Sequence, residues 1–384
     1  MKFYKSRANT VIVILTVTVF FVFSCSKQEL KYKLQKNDFI TFKNNLRKGF
    51  LKELYVEGHN YYAIYDLETE KKAFIYNQNG KIVSAFNLEK LSKSLVSNGV
   101  LSFIDLKTVL CFEYQTGILY KVNKTGKILD FKNFSNIIKS ENGYELYPNF
   151  LKGKFIFNKN DLLFYISYSL PEKFNNLNNL EYTESFGKYN SKKEGFIRIK
   201  NPFSKSPKVE KLNVNLSRFF LKKGKSVSDF PTFFLKNDSL VLSSYYSDKI
   251  YIYSLTKKKI IFTKKLTSTK GKIGMKQLNI DSDLFEKQSR YFYENLKISS
   301  IDYDERNKKY FILLTKHVVS KKTTIRPLII LDDKFNQVLE INLNDENFDL
   351  YYLFKYKKND YILYNTKINE KDKTKIVFNK FSLI

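Results

Sequence analysis

Residues 75–82 have the sequence IYNQNGKI, and residues 121–128 repeat the pattern as KVNKTGKI. In both segments an apolar run meets a polar turn that closes with glycine and lysine. Asn79-Gly80 predicts a tight hairpin turn of type I′, because both central residues of that turn need positive φ. Thr125-Gly126 occupies the equivalent place. The two glycines are 46 residues apart, which indicates a structural repeat of about that length.

Short apolar segments surround both turns and continue along the chain. They are rich in Tyr, Phe, Ile, Val and Leu and are separated by Asn, Asp, Gly and Lys, a pattern that predicts strands. The strands form groups of four over residues 50–88 and 99–131, and four further groups follow. The last group supplies only three strands, so we predict that residues 39–42 pair with it and close a ring. The sequence therefore predicts an all-β fold, a six-bladed β-propeller of four-stranded antiparallel blades.

Two stretches interrupt the repeat. Residues 171–195 are polar and poor in strand signals, and residues 267–296 contain a segment, 281–294, with the spacing of a short helix. We interpret both as loops between strands. Loops on a rigid scaffold commonly carry binding sites, but tolerated surface insertions are an equally good interpretation.

The N-terminal segment has the features of an export signal. Lys2, Lys5 and Arg7 precede a charge-free run over residues 11–23. This run is shorter than the roughly 20 residues that a membrane-spanning helix needs, so it suits the apolar part of a signal peptide. Its end, Ser24-Cys25, resembles a lipobox, in which a small residue precedes a lipid-modified cysteine. An ordinary signal peptide that happens to contain a cysteine is the alternative.

These features predict the domain organisation and the location. We expect a signal peptide over residues 1–24, a lipidated linker over 25–36 and a single propeller domain over 37–384. Lipid on Cys25 would hold the protein at a membrane of the cell envelope, which we expect to be the outer membrane. Glu29 is only a partial match to an acidic surface-sorting signal, so the sequence leaves both sides of the membrane as alternatives for the protein's location.

The composition limits the possible partners. The formal net charge is +29, and it comes mostly from lysine. Because the chain is exported and has no basic block with a nucleic-acid motif, we expect no nucleic acid. The lysines fit a solvated surface encoded by an AT-rich genome, or attraction to acidic lipid headgroups or anionic polysaccharide. Cys111 is the only other cysteine. The chain therefore has no intrachain disulfide or cysteine-based metal site, and we predict a buried, inert thiol.

No set of residues specifies a reaction. His59 and His317 are the only histidines, both beside predicted strand ends, and zinc needs further good ligands. Asp281-Ser282-Asp283 has some spacing of a calcium loop, but an N-cap region is the simpler interpretation. The chain has no nucleophile elbow and no glycine-rich phosphate loop. We therefore predict no catalytic, cofactor-binding or metal residues, and an enzymatic role stays uncertain.

Acidic pairs and aromatic residues are the remaining candidates. Asp302 with Asp304, and Asp332 with Asp333, lie near strand ends; paired carboxylates can do acid–base work on a sugar, but turn aspartates are commoner. The 28 Tyr and 35 Phe are enough to fill the space between blades. Tyr245-Tyr246 and Tyr351-Tyr352 each place one ring on each face of a strand. One ring of each pair could therefore be exposed.

The lipobox, the length and repeats such as residues 79–82 and 125–128 resemble a family of uncharacterised lipoproteins of the Bacteroidota. That family is a domain of unknown function predicted to form a TolB-like six-bladed propeller. The resemblance implies an architecture, a location and an interaction role, but it carries no site residues.

The leading functional hypothesis is a membrane-anchored, non-catalytic propeller that binds a protein partner or an extracellular ligand. The alternative is a glycan-binding protein or carbohydrate-active enzyme that uses carboxylates and tyrosines at the mouth of the propeller channel. A third hypothesis is an electrostatic scaffold on anionic polysaccharide.

Overall fold

The computed structural model describes the propeller and leaves out the N-terminal segment. The described residues are 32–43, 50–66, 70–91, 99–113, 116–138, 146–148, 156–158, 161–168, 195–212, 214, 231–244, 247–274, 295–318, 323–342, 348–356, 360–365 and 375–384. The predicted signal peptide and Cys25 lie outside them. Within these ranges no helix has the length and apolar character needed to cross a membrane.

The strands form six antiparallel sheets, each of which is one blade, and the predicted six-bladed propeller is confirmed. The blades, from the innermost strand to the outermost, are as follows. Blade 1 is β2 (Phe50–Val56), β3 (His59–Asp66), β4 (Lys72–Tyr76) and β5 (Ile82–Asn87). Blade 2 is β6 (Gly99–Phe103), β7 (Thr108–Glu113), β8 (Ile118–Asn123) and β9 (Ile128–Asn133). Blade 3 is β10 (Leu146–Pro148) with β11 (Ile156–Asn158), then β12 (Asp161–Tyr168), β13 (Gly195–Lys200) and β14 (Lys208–Leu212).

The second half of the ring follows the same order. Blade 4 is β15 (Thr232–Lys236), β16 (Ser239–Ser243), β17 (Lys249–Ser254) and β18 (Lys259–Lys265). Blade 5 is β19 (Lys297–Asp304), β20 (Lys309–Val318), β22 (Pro327–Leu331) and β23 (Gln337–Asn342), with β21 (Thr323–Ile325) paired to β20. Blade 6 is β24 (Phe348–Lys355), β25 (Asp360–Asn365), β26 (Lys375–Leu383) and β1 (Tyr32–Lys43). One short helix, α1 (Ser135–Ile138), follows blade 2.

Strand β1 closes the ring. It is the outermost strand of blade 6 and pairs antiparallel with β26, from Tyr32 opposite Leu383 to Lys43 opposite Lys375. The predicted closure by residues 39–42 is confirmed. The strand begins at Tyr32, ahead of the expected domain start at residue 37. Pairing the two ends of the chain removes two exposed sheet edges.

The hydrophobic core is divided among the six joints between neighbouring blades, with one buried cluster at each joint. Aromatic pairs cross these joints, as predicted. They are Tyr65–Phe103, Phe112–Phe164, Phe196–Phe233, Phe234–Tyr303, Phe311–Tyr361 and Phe42–Tyr62. Flat rings suit this place because each can contact two sheets at once.

The turns that suggested the repeat are hairpins, but the predicted type I′ geometry is wrong. Gly80 has a φ of 77°, whereas Asn79 is not left-handed. The Asn77 side chain accepts hydrogen bonds from the backbone N–H groups of Asn79 and Lys81, both at 3.0 Å. These bonds hold a type I turn. Gly80 and Lys81 both bond to the Asn77 backbone, at 3.0 Å and 2.9 Å, and form a bulge that lets strand pairing resume. Asn123 and Gly126 repeat the arrangement.

The propeller has two different faces. The turn face carries the connections from the first to the second strand and from the third to the fourth strand of each blade. The loop face carries the remaining connections. Residues 171–195 and 267–296 both connect strand ends at the loop face, between Tyr168 and Gly195 and between Lys265 and Lys297. Most of each stretch, including the predicted helix 281–294, lies outside the described residues.

Candidate functional site

A group of charged side chains gathers on the innermost strands of three blades, toward the turn face. Glu53 lies on β2 of blade 1, Asp302 on β19 of blade 5 and Lys355 at the end of β24 of blade 6. Arg306 follows in the first turn of blade 5. These four residues are called the channel cluster below. Ring closure brings them together from distant parts of the chain.

Lys355 is the central member of the channel cluster. Its backbone N–H donates to Oε2 of Glu53 at 3.5 Å, which links blade 6 to blade 1. Its Nζ donates to the backbone carbonyl of Tyr303 at 2.8 Å, which links blade 6 to blade 5. Its own carbonyl accepts from the Tyr62 hydroxyl at 2.5 Å and from the Asn60 amide at 3.3 Å. Lys355 therefore joins three blades.

The carboxyl group of Glu53 has an unusual electrostatic environment. Glu53 is only partly exposed. Burial raises its pKa, Lys355 opposes that shift and Asp302 adds to it, and the net result is a pKa of about 7. Burial also raises the pKa of the neighbouring Tyr62 hydroxyl, and the charge of Glu53 adds to that effect. A carboxyl group that changes charge near neutral pH beside a central channel is typical of functional sites.

The ammonium group of Lys355 responds to the same charges in the opposite sense. Burial lowers its pKa, but the carboxylates of Asp302, Glu53 and Asp304 together outweigh burial, so the net effect is a raised pKa. Lys355 therefore stays charged at neutral pH. Lys355 keeps its charge near neutral pH, whereas Glu53 can gain or lose a proton. The net charge of the cluster can therefore change by one unit.

Asp304 serves the fold. Its side chain is fully buried and accepts hydrogen bonds from the Tyr361 hydroxyl at 2.7 Å and the Asn307 amide at 2.8 Å. It also accepts from the backbone N–H of Arg306 at 3.0 Å. Burial raises its pKa, but the bond from Tyr361 and the nearby Lys355, Asn307 and Arg306 lower it more. Both carboxylate oxygens of Asp304 are therefore occupied by hydrogen bonds and are not available to a ligand in the channel.

The second acidic pair also serves a turn. Asp332 accepts hydrogen bonds from the backbone N–H groups of Lys334 at 3.0 Å and Asn336 at 2.7 Å, in the turn between β22 and β23. Its neighbour Asp333 is exposed in the same turn. Of the four aspartates considered from the sequence, only Asp302 is exposed in the channel cluster, where Glu53 is the neighbouring carboxyl group. Asp304 is buried behind the cluster and binds Arg306. A carboxylate pair built on Asp302 and Asp304 is therefore excluded.

The remaining sequence candidates lie elsewhere. His59 is exposed at the start of β3, opposite Val56, and His317 lies on β20 opposite Thr324. In the part of the chain that the structure describes, no three or more His, Cys, Asp or Glu side chains are grouped as metal ligands. Cys111 is buried, and burial raises the pKa of its thiol, as predicted for an inert cysteine. Asp281, Ser282, Asp283, Tyr245, Tyr246 and the side chains of Tyr351 and Tyr352 lie outside the described residues.

Tyr303 connects the channel cluster to the joint between blades 4 and 5. The Nζ of Lys236 lies 3.8 Å from the centre of the Tyr303 ring and donates to the Tyr310 hydroxyl at 2.8 Å. The Tyr303 ring also stacks parallel to Phe234, with the ring centres 6.3 Å apart. This cation–π arrangement fixes the backbone carbonyl that receives Lys355.

Sequence reasoning missed Glu53, Lys355 and Arg306. Each lies in an ordinary alternating strand or turn, without a local motif. Glu53 was the one available signal, because it is an acidic residue in the middle of an innermost strand, β2, whose residues are otherwise apolar apart from Lys52. Its partners could be recognised only after the ring had closed.

Comparisons with known proteins show the fold. No known protein family and no curated protein matches the sequence. The structure of a member of the DUF4221 family from Bacteroides vulgatus superposes with a TM-score of 0.65 at 14% identity, covering 94% of this chain and 99% of that one. A candidate exported protein from Bacteroides fragilis gives a TM-score of 0.48 at 12% identity, with 94% and 96% covered. The Bacteroides vulgatus structure confirms the expected resemblance, and at 14% identity it shows the fold alone.

Proposed function

We propose that this chain is a membrane-anchored lipoprotein of the cell envelope whose propeller binds a partner or an extracellular ligand without converting it. The channel cluster supports this function. It brings two carboxyl groups, an ammonium and a guanidinium from three blades to one place on a rigid ring. Asp302 and Arg306 are exposed, so the cluster presents both an acceptor and a donor to solvent.

The chemistry of the cluster favours binding over catalysis. Asp304 and Asp332 are used by turns, and the charge of Lys355 is held by hydrogen bonds across the blades. What remains accessible is a polar surface that suits a ligand with both hydrogen-bond donors and acceptors. The charge-free segment over residues 11–23 and Cys25, which precede the propeller, support the envelope location.

Cross-linking in intact envelopes tests this function. The wild-type chain and the variants Asp302→Asn and Arg306→Gln would be cross-linked, purified and compared by mass spectrometry. Glu305→Gln is the matched control, because Glu305 is exposed in the same turn and lies outside the cluster. We expect one partner or ligand to be recovered with the wild type and the control and lost with both variants. Equal recovery with all four proteins would exclude the channel cluster as the binding site.

Glu53 supports a second candidate function, acid–base catalysis on a glycan. A carboxyl group with a pKa of about 7 beside Asp302 has the protonation behaviour of a general acid. Incubation with a panel of oligosaccharides, with detection of new reducing ends, tests it. Cleavage by the wild type that is lost in Glu53→Gln would support the enzyme, and intact oligosaccharides throughout would exclude it for that panel.

A further inference from the structure

Most of the exposed large apolar side chains of the described residues lie toward the turn face, and Phe131 lies just past the middle of its strand. Apart from Tyr55 and Ile384, they lie within the first four residues of an outermost strand. They are Ile82, Val83, Ile128, Leu129, Phe131, Val209, Ile260, Ile261 and Phe262, with exposures of 36% to 59%. Tyr55 is next to the last residue of β2, and Ile384 follows β26 at the same face. These outer-strand segments of blades 1 to 4 are called the rim below.

Lysine accompanies the apolar residues at every part of the rim. An exposed lysine stands immediately before them in each blade, and the four lysines are Lys81, Lys127, Lys208 and Lys259. Blade 5 lacks both features: Asn336 precedes its outer strand, and Val338 and Leu339 are partly buried. Exposed apolar side chains and a preceding lysine therefore occur together on the outermost strands of blades 1 to 4, and the outermost strand of blade 5 has neither.

Protection of sheet edges explains the lysines but not the apolar side chains. Charged residues on an outer strand prevent edge-to-edge aggregation. Isoleucine, leucine and phenylalanine placed beside those lysines have the opposite effect, because exposed apolar outer strands invite association. The combination is typical of surfaces that meet an anionic bilayer, where aliphatic side chains enter the headgroup region and lysines contact lipid phosphates.

Strand β1 begins at the same face. Tyr32 pairs with Leu383 at the end of β26, and the outermost strand of every blade starts at the turn face. Six residues separate Cys25 from Tyr32, and an extended chain of that length reaches at most about 25 Å. A lipid on Cys25 would therefore hold the turn face, and not the loop face, close to the bilayer.

We propose that the rim is a membrane-docking surface that seats the turn face of the propeller on an anionic lipid bilayer beside its own lipid anchor. The loop face then points away from the membrane. This inference rests on the lipid anchor of the proposed function and is independent of the channel cluster. The rim lies on the outermost strands, whereas Glu53, Asp302 and Lys355 lie on the innermost ones.

Depth-dependent fluorescence quenching tests the docking surface. Full-chain lipoprotein would carry one introduced cysteine with an environment-sensitive fluorophore, in vesicles of phosphatidylcholine and phosphatidylglycerol containing brominated lipid. Leu129→Cys and Ile261→Cys report on the rim. Asn133→Cys and Lys265→Cys are matched controls, because these exposed residues end the same strands at the loop face. Cys111 is buried, and the unsubstituted protein measures any labelling at other cysteines.

We expect brominated lipid to quench the rim labels at least about twofold more than the control labels, because interfacial side chains enter the outer part of the bilayer. Equal quenching at both ends of the strands, or stronger quenching at residues 133 and 265, would overturn the proposal. Rim labels that are shielded from water but not quenched would also overturn it, because another protein or a second copy of this chain would then cover the rim.

The lysines supply a second measurement. Lys127→Gln combined with Lys259→Gln should reduce quenching at residue 261 by about half or more and weaken its salt dependence, because two of the four rim lysines that attract lipid headgroups are lost. Lys132→Gln combined with Lys265→Gln changes the other ends of the same strands and should leave quenching unchanged. Identical effects of the two pairs would show a nonspecific charge effect and contradict docking by the rim.

Discussion

The hydroxyl of Tyr361 on β25 donates a hydrogen bond of 2.7 Å to Oδ2 of Asp304 in the neighbouring blade. Both side chains are buried. The bond ties blade 6 to the first turn of blade 5, directly behind the channel cluster. Asp304 thus holds the turn that carries Arg306, and the cluster depends on a polar contact beside the apolar core of this joint.

Tyr361→Phe should destabilise the propeller by about 1.5 to 3 kcal/mol, because a hydrogen bond to a buried carboxylate is lost. Urea unfolding at pH 7 measures the change. Tyr55→Phe is the control, since Tyr55 is 63% exposed, and it should stay within about 0.5 kcal/mol of the wild type. Equal stability of the two variants would contradict the structural role of the bond.

The same substitution should change acid stability. The pKa of Asp304 is lowered below its ordinary 3.8. Its contribution to stability is therefore present above pH 3.8 and is lost as the pH falls through the lower folded-state value. Without Tyr361 the pKa of Asp304 should rise, so the variant should lose less further stability on acidification. A parallel acid-denaturation curve for the variant and the wild type would refute this.

Glu53→Gln should stabilise the protein at pH 8 and have little effect at pH 4. Because the folded-state pKa is raised from 4.5 to about 7, the neutral carboxyl group is favoured on folding, and stability falls as the pH rises through that window. Glutamine keeps an acceptor for the Lys355 backbone and cannot ionise. We expect a gain of the order of 1 to 3 kcal/mol at pH 8, measured by unfolding at several pH values.

The control for this experiment is Glu305→Gln, which removes an exposed carboxylate from the adjacent turn. It should shift stability by less than about 0.5 kcal/mol at every pH. A Glu53→Gln variant whose stability follows the wild type between pH 4 and pH 8 would show that Glu53 does not titrate in this range.

Gly126→Ala should be more damaging than Gly58→Ala, although both glycines have positive φ. A Cβ at Gly126 would lie 2.5 Å from the Asn87 carbonyl oxygen of blade 1, whereas nothing lies within 4 Å of one at Gly58. Gly58→Ala should cost about 1 kcal/mol of backbone strain, and Gly126→Ala about 1 to 3 kcal/mol more from the clash. Chemical denaturation of both variants checks the order.

Gly80 provides a separate test of ring closure. A Cβ there would lie 2.7 Å from the carbonyl oxygen of Thr41 on β1. Gly80→Ala should therefore loosen the strand that closes the propeller, and amide hydrogen exchange in β1 should accelerate while exchange in β16 stays unchanged. Acceleration in both strands alike would mean that the substitution acts on global stability only.

Cys25→Ser should abolish lipidation and normal processing. The charge and apolar run of the N-terminal segment are unchanged, so export should still begin, but serine has no thiol for lipid transfer. The wild type should incorporate radiolabelled palmitate and partition into detergent, and the variant should run as an unprocessed precursor. Ser26→Ala is the control and should be processed normally. An unlabelled wild type with a mature N-terminus elsewhere would refute the lipoprotein prediction.

Local sequence patterns determine the strands and turns that make up each blade. Alternating apolar residues and polar turns predicted the strands and the repeat, because both signals depend on neighbours along the chain. Closure by residues 39–42 followed from counting strands. The turn type was mispredicted, because the Asn77 side chain caps the turn and leaves only Gly80 with positive φ. Asn-Gly alone does not separate a type I′ turn from a type I turn with a bulge.

Tertiary structure alone decided the channel cluster. Glu53 and Lys355 are 302 residues apart, and neither lies in a motif. Their meeting depends on closure of the ring between blades 6 and 1, and the raised pKa of Glu53 depends on burial that closure creates. Asp302 and Asp304 looked equivalent in the sequence. Alternation along β19 places both side chains on the same side of the strand. Tyr361 of the neighbouring blade covers Asp304 and leaves Asp302 exposed, because burial and hydrogen bonding across a joint are set by the neighbouring blade.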